Sequence, residues 1–235
     1  MTVQSSREQL IPRTRKFYLI TTGILLAIAI GLGVGLGIGL RRGTNSQPSA
    51  SSSSPPITKN TTSTESTFWK PTVGTSWQIV LAYPLNDTSV NVSVYDIDLF
   101  DNPVSTIEAL HSQNRKVICY FSAGGFEDWR SDANQFADGD LGNDLVGWPG
   151  ERWLNISSSN VRRIMAERIH AAASKGCDGV DPDNVDGFDN ANGLGLTESD
   201  SVDFLTFLAN EAHSHNMAIG LKNAASIVDK TIDMM

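Results

Sequence analysis

Beyond residue 68 the chain alternates two hydrophobic rhythms. Short runs at 77–83, 90–100, 116–122, 179–185 and 217–221 are rich in β-branched or aromatic residues and bounded by turn formers, which predicts five strands. Between them apolar residues return at helical spacing. One set is Val104, Ile107 and Leu110 after Asn102-Pro103. A second is Val161, Ile164, Met165, Ile169 and Ala172, closed by Gly176, and a third is Val202, Leu205, Leu208 and Ala212 after Thr197 with its Asp200 partner. Strand and helix in alternation predict an α/β fold with parallel strands. The connection at 84–89 is too short for a helix, so the opening unit departs from that pattern. No internal repeat of fixed period interrupts the alternation.

Ahead of this body the pattern is different. Residues 17–40 hold no charge, with Arg13, Arg15 and Lys16 before them and Arg41 and Arg42 after. Those 24 residues make ~36 Å of helix, enough for ~30 Å of hydrocarbon with some tilt. A cleaved signal has an apolar core of about 7–15 residues, so the segment is read as a retained transmembrane signal-anchor, with 1–16 as a cytoplasmic tail. Residues 44–67 then hold 14 Ser or Thr, with Pro48, Pro55 and Pro56. Such a composition cannot bury enough surface to offset its ordering entropy. The stretch 41–67 is therefore read as a disordered stalk, mucin-like or a plain flexible linker, ahead of a folded domain at 68–235.

Orientation follows from two features. Basic residues favour a cytoplasmic N-terminus weakly. The four Asn-x-Ser/Thr sequons, at Asn60, Asn86, Asn91 and Asn155, all follow the apolar span. Together they predict a single-pass type II membrane protein, anchored by one N-terminal helix, with its body at the cell surface or in the secretory lumen.

Charge divides along the same line. Of the 18 Lys and Arg, seven lie before residue 68, whereas only Glu8 and Glu65 of the 26 acids do. The body keeps 11 basic and 24 acidic groups, a formal balance of −13. A nucleic-acid partner is excluded on that balance, because binding requires net phosphate neutralisation. A cationic partner suits it, although acidity also serves solubility.

The most informative stretch runs from Cys177 to Asp189, with aspartates at 178, 181, 183, 186 and 189. Asp181, Asp183 and Asp186 fall where a buried strand gives way to a loop, the edge at which parallel α/β folds build their sites. Calcium binding, acid catalysis and a solvated face are the three uses of such a run. The calcium-loop template fails, because counting from Asp181 puts Val185 at position five and Asp186 where glycine belongs. Alternation puts Asp181 and Asp183 on one side, and crowded carboxylates raise one another's affinity for protons, as general acid work requires. Asp98 ends the second strand, Tyr120 lies near the end of the third, and Lys222-Asn223 follow the fifth. Acids and amides flanked by Trp129, Trp148 and Trp153 suit a sugar chain, although any one of these tryptophans taken alone reads as ordinary packing.

The stretch from Trp77 onward resembles the endo-α-1,4-polygalactosaminidase family of glycoside hydrolases, through five motifs in order. These are Asp96-Ile97-Asp98-Leu99-Phe100-Asp101, Cys119-Tyr120-Phe121-Ser122-Ala123-Gly124, Trp153-Leu154, the run from Gly176 to Asp186, and Gly220-Leu221-Lys222-Asn223-Ala224-Ala225. The resemblance implies a (β/α)8 TIM-type barrel and cleavage of α-linked galactosamine polymers, some relatives being α-galactosidases. It makes Asp183 the catalytic aspartate, with Asp98, Tyr120, Asp181, Asn184, Asp186, Lys222 and Asn223 lining the pocket. Relatives often carry Glu where Asp181 stands. It also implies a sixth strand ending in Asn-Glu-Gln-Cys, whose Glu is the second catalytic carboxylate. The chain ends at Met235, before that motif, so about five of eight strands are expected and the barrel is read as incomplete. Glycoside hydrolysis normally requires two carboxylates. Two readings stand: a membrane-anchored glycosidase acting on a cationic aminosugar polymer, in truncated or inactive form, and a non-catalytic carbohydrate-binding or vestigial surface protein.

No cofactor or metal is expected. His111, His170, His213 and His215 all fall on predicted outer helices, and His213 and His215 do not share a face. Cys119 and Cys177 lie on neighbouring predicted strands. A bridge between them, pairing of Cys177 with a cysteine elsewhere, and a free buried thiol all remain open.

Overall fold

The computed structural model describes residues 68–235. The expected tail, anchor helix and stalk, with Asn60, lie outside the described residues. Among the described residues no helix is long and apolar enough to cross a membrane.

Among the described residues eight strands form two sheets. β1 (Trp77–Val80), β2 (Val94–Asp98), β3 (Lys116–Ser122), β7 (Gly179–Asp183) and β8 (Ala218–Ile219) make a parallel sheet in that spatial order. β4 (Gly125–Glu127), β5 (Leu141–Asp144) and β6 (Glu151–Leu154) make a small antiparallel sheet with β6 at its centre. The parallel strands match the five expected, although the first, second, fourth and fifth are shorter at their ends. β1 and β2 pair in parallel with no helix between them, as the short connection implied.

The helices are α1 (Val104–Ser112), α2 (Ser159–Lys175), α3 (Glu198–Ser214) and the single turn α4 (Val228–Thr231). Their ends follow from local chemistry. The Ser158 hydroxyl caps α2 by accepting from Asn160 N, and Gly176 ends the helix at φ +89°, a left-handed conformation that costs glycine little. Thr197 and Asp200 form a reciprocal capping box at the start of α3. Buried Ile164, Met165 and Ile169 of α2 and Phe204, Leu205 and Leu208 of α3 join one core with Ile97, Val117, Phe121 and Val180 of the sheet.

Alternation gives the parallel sheet two unlike faces. Val117, Cys119 and Phe121 of β3 are fully covered, whereas Ile118 and Tyr120 between them are half-buried. Register sets Asp98 beside Tyr120, Tyr120 beside Asp181, and Ser122 beside Asp183. The polar residues of β2, β3 and β7 therefore share one face. Cys119 on the apolar face is bridged to Cys177, with Cα atoms 6.0 Å apart, which settles the alternatives left open for these cysteines. Closing a loop of 58 residues stabilises by about 4 kcal/mol in the chain-entropy account.

The antiparallel sheet has no counterpart in the expected element list. Its strands are short and carry Glu127, Asn143, Asp144, Glu151 and Arg152, so no apolar period marks them.

Candidate active site

The site is built at the C-terminal ends of β3, β7 and β8. Asp183 ends β7, and three donors converge on its carboxylate. Tyr120 Oη donates to Oδ2 at 3.1 Å, Asn223 Nδ2 to Oδ1 at 2.7 Å, and the Asn184 backbone N–H to Oδ1 at 2.8 Å. Asp183 acts only as acceptor in these contacts, and its orientation is fixed by its own following residue together with β3 and the segment after β8.

Two of the three donors sit in unusual backbone. Asn184 has φ +60° and Asn223 φ +63°. Asparagine is among the few residues with a side chain that enter this left-handed region readily, and each turn aims its donor at Asp183. Asn184 is further held by its Nδ2 donating to Ser122 Oγ at 2.8 Å. Gly124 permits this approach, since a Cβ there would stand 1.9 Å from the Asn184 carbonyl oxygen.

A carboxylate pair lies deeper on the same face. Asp96 and Asp181 are both buried, and Lys222 Nζ is 3.5 Å from Asp181 Oδ2. Burial, then the charge and hydrogen bond of Asp181, push Asp96 up to about 9. Burial raises Asp181 as well, against the pull of Lys222. Asp96 therefore holds a proton at neutral pH and donates it toward Asp181. Lys222 also stands over the Tyr120 ring, 5.7 Å from its centroid. Burial first, and the charge of Asp183 second, raise the Tyr120 phenol, keeping it a hydrogen-bond donor.

The site opens into two cavities. One of about 190 Å³ is lined by Asn184, Asp186 and Asn223 with Trp148 and Trp153. The other, about 330 Å³, is lined by Asp96, Asp181, Lys222 and Asn223 with Trp77. Asp186 is raised by burial, with a smaller push from Asp183.

Tyr120, Asp183, Asn184 and Asn223 are thus directly joined, Asp186 lines the adjoining cavity, and Asp181 lies in the deeper pair with Lys222 beside it. Asp98 departs from the expected pocket position. It is fully buried, its oxygens bonded to Arg130 at 3.1 and 2.6 Å, and the backbone N–H groups of Phe100 and Asp101 donate to Oδ1. Arg130 also holds Glu127 through Nε and Nη2 at 2.7 and 2.9 Å. Asp98 shares a face with Tyr120, but a cation from the antiparallel insert claims its carboxylate. Asp96, beside Asp181, and Ser122, which holds Asn184, were not among the expected pocket residues, although each lies in one of the five motifs. The Glu127-x-x-Arg130 spacing after β3 was the available sign of the buried ion pair.

Asn86 and Asn91 are exposed, whereas Asn155 is half-buried with its Oδ1 accepting from Ser157 N at 3.3 Å. Among the described residues no cluster of three or more His, Cys, Asp or Glu is placed to hold a metal ion. His111 instead contacts Asp178 at 2.7 Å, and His213 stacks on Phe68 at 4.1 Å.

A parallel α/β sheet whose strand ends gather a triply bonded carboxylate beside aromatic-walled cavities defines an α/β protein with a carboxylate-centred site. The chain belongs to glycoside-hydrolase family GH114, whose sequence model matches residues 58–235. Its fold is similar to the crystal structure of Aspergillus fumigatus Ega3 in complex with galactosamine, with a TM-score of 0.70 and 63% identity over 71% of this chain and 66% of that one. The glycoside hydrolase domain of PelA from Pseudomonas aeruginosa aligns with a TM-score of 0.45 and 12% identity, over 60% of this chain and 57% of that one. The chain thus spans less than two thirds of either structure's length. Comparison with curated proteins gives no match.

Proposed function

We propose that the chain carries most of the site of a glycoside hydrolase acting on a galactosamine-containing polysaccharide, with Asp183 as the catalytic aspartate. The observation that carries this reading is the convergence of Tyr120, Asn184 and Asn223 on Asp183 in a chain 63% identical to a protein solved with galactosamine. A carboxylate so oriented faces an oxocarbenium-like centre without rearrangement. The acidic body suits a cationic aminosugar polymer.

The second carboxylate is assigned to the Glu that the family resemblance places on the strand after β8. Two features support completion of a (β/α)8 barrel by further strands. Among the described residues β1 and β8 are the open edges of the sheet, and Trp77 on β1 is 61% exposed. The test is hydrolysis of an α-1,4-linked galactosamine polymer by the chain extended through that strand. Asp183→Asn keeps size and removes charge, so kcat should fall by about two orders of magnitude or more. A fall of less than about tenfold, ~1.4 kcal/mol of barrier, overturns the assignment.

Residues 17–40 are proposed as the membrane anchor, with the body extracellular or luminal. The uncharged span and the sequons that follow it support this. Expression in a eukaryotic host followed by N-glycosidase treatment should lower the apparent mass, and an unchanged mass counts against it.

A further inference from the structure

The antiparallel insert carries a feature that the catalytic reading leaves unused. Between β5 and β6 the chain turns over 145–150, braced by Leu145 N to Glu151 O at 3.0 Å, Trp148 N to Leu145 O at 3.1 Å and Glu151 N to Trp148 O at 3.1 Å. Gly147 at φ +90° and Gly150 at φ +91° permit the turn. A Cβ on Gly150 would stand 2.9 Å from the Asp128 carboxylate, so the turn packs directly against that acid. The brace holds two large apolar side chains out in solvent, Val146 at 92% and Trp148 at 64% exposure.

Behind this turn lies a cavity of about 480 Å³, walled by Phe126, Val146 and Trp148 and by the acids Asp128, Asp144 and Glu151. Its size is that of a small-ligand pocket, roughly 300–1,000 Å³. The cation in its wall is Arg152, which donates to the Gly142 carbonyl at 2.9 and 2.6 Å and lies 3.8 Å from Asp144. Three carboxylates against one guanidinium leave the cavity formally negative. Leu145, Val146 and Trp148 also line the cavity that holds Asn184, Asp186 and Asn223. One aromatic turn is therefore a common wall between the catalytic cavity and an acidic, open one.

We propose that this outer cavity is a distal subsite for a further aminosugar unit of the same polymer. Trp148 is the platform for the apolar face of the pyranose, and Asp128 and Asp144 are the partners of its ammonium group. The proposal rests on the galactosamine-polymer reading and extends it to chain-length recognition. A rigid aromatic face offers contact area at little entropic cost and attracts a cation laid against it. An acid pair at the rim favours the amine over its acetylated form.

The test is calorimetric binding to the full chain, using galactosamine and an α-1,4-linked galactosamine hexamer as probes. The hexamer should bind about tenfold or more tightly than the monosaccharide, and its N-acetylated form should lose most of that gain. Trp148→Ala should reduce the gain to under about threefold. Because Trp148 also walls the catalytic cavity, the separating variant is Asp128→Asn with Asp144→Asn. Both residues are exposed and line the outer cavity alone. It should erase most of the gain while galactosamine affinity moves by less than about twofold. A gain that survives both variants, or a parent that binds the two probes equally, overturns the subsite and leaves the catalytic reading standing. A parent that binds neither probe overturns both together.

Discussion

The parallel sheet and the antiparallel insert hold their places by different forces. β3 covers Val117, Cys119 and Phe121 completely, and those residues join α1, α2 and α3 in one apolar core. The insert adds Leu154 and Ile156 to that core, but β5 exposes Asn143 and Asp144, and much of its attachment is polar. Arg130 binds Asp98 of β2, Arg168 of α2 binds Asp132 at 2.8 and 2.9 Å, and Asp140 binds the first turn of α2. Apolar burial is non-directional and fixes a scaffold, whereas charge pairs in a dry setting fix orientation. The carboxylate sits on the first region, and the second walls one of the two cavities beside it, the one lined by Trp148 and Trp153.

The largest stability effect that tests this contrast comes from removing Arg130. Its side chain is 6% exposed and bridges both regions. Arg130→Met fills similar volume but leaves Asp98 and Glu127 buried without their hydrogen-bonded cation, which costs ~3–5 kcal/mol. Burial already raises Glu127 against the opposing pull of Arg130, so it takes up a proton when the arginine is gone. Urea denaturation of the full chain measures the loss. Adding Asp98→Asn and Glu127→Gln should recover a large part of it, because the buried charges leave with their partner. A loss below ~1 kcal/mol for the single variant would show that the insert does not depend on the bridge.

A smaller, pH-dependent effect tests the scaffold's own polar face. Folded Asp96 keeps its proton up to about 9, against an ordinary value of 3.8. Between those values the unfolded chain binds fewer protons than the folded one, so stability falls as pH rises. Asp96→Asn retains a donor toward Asp181 and removes that proton. Relative to the parent it should gain stability with rising pH, at up to ~1.4 kcal/mol per unit. Denaturation midpoints at several pH values between about 5 and 8 read the difference. Parallel curves for the two proteins would mean that Asp96 is not held protonated.

The same division decides what the sequence reveals. The end of α2 at Gly176, the start of α3 at Thr197 and the five parallel strands were readable because one-faced burial imposes a period and capping imposes a residue type. Asp183, Tyr120 and Asn223 were readable as a set because parallel strands bring their C-terminal ends to one edge. The Arg130 partner of Asp98 was not readable, because alternation fixes the face of a side chain but not the partner that reaches it. Arg130 comes from 32 residues away, outside any local period. The insert was invisible for the same reason. Three strands of three or four residues, carrying charges and closed by the turn at 145–150, leave no hydrophobic rhythm to detect. Asp96 escaped because its raised protonation depends on burial beside Asp181, a contact between distant strands.

The smallest effect belongs to the outer edge of the insert. Asp140 is buried and accepts from Ser158 Oγ at 2.6 Å, Asn160 Nδ2 at 2.7 Å and Ala137 N at 2.9 Å. Burial pushes its carboxyl up, but the bonds from Ser158, Asn160 and Ala137 outweigh it and hold the group below its ordinary 3.8. Its contribution is therefore present above that ordinary value and is lost as pH falls through the folded one. Asp140→Asn turns an amide N–H₂ toward donors that had an acceptor, which should cost about 1–2 kcal/mol near neutral pH. The Ser158 cap on α2 loosens with it, because its hydroxyl loses the acceptor that orients it. Denaturation near pH 6 should show the full loss, and near pH ~3 the gap to the parent should narrow as the parent's own carboxyl takes up its proton. An equal gap at both values would mean that Asp140 holds the insert by shape rather than by charge, and would move this edge to the apolar side of the comparison.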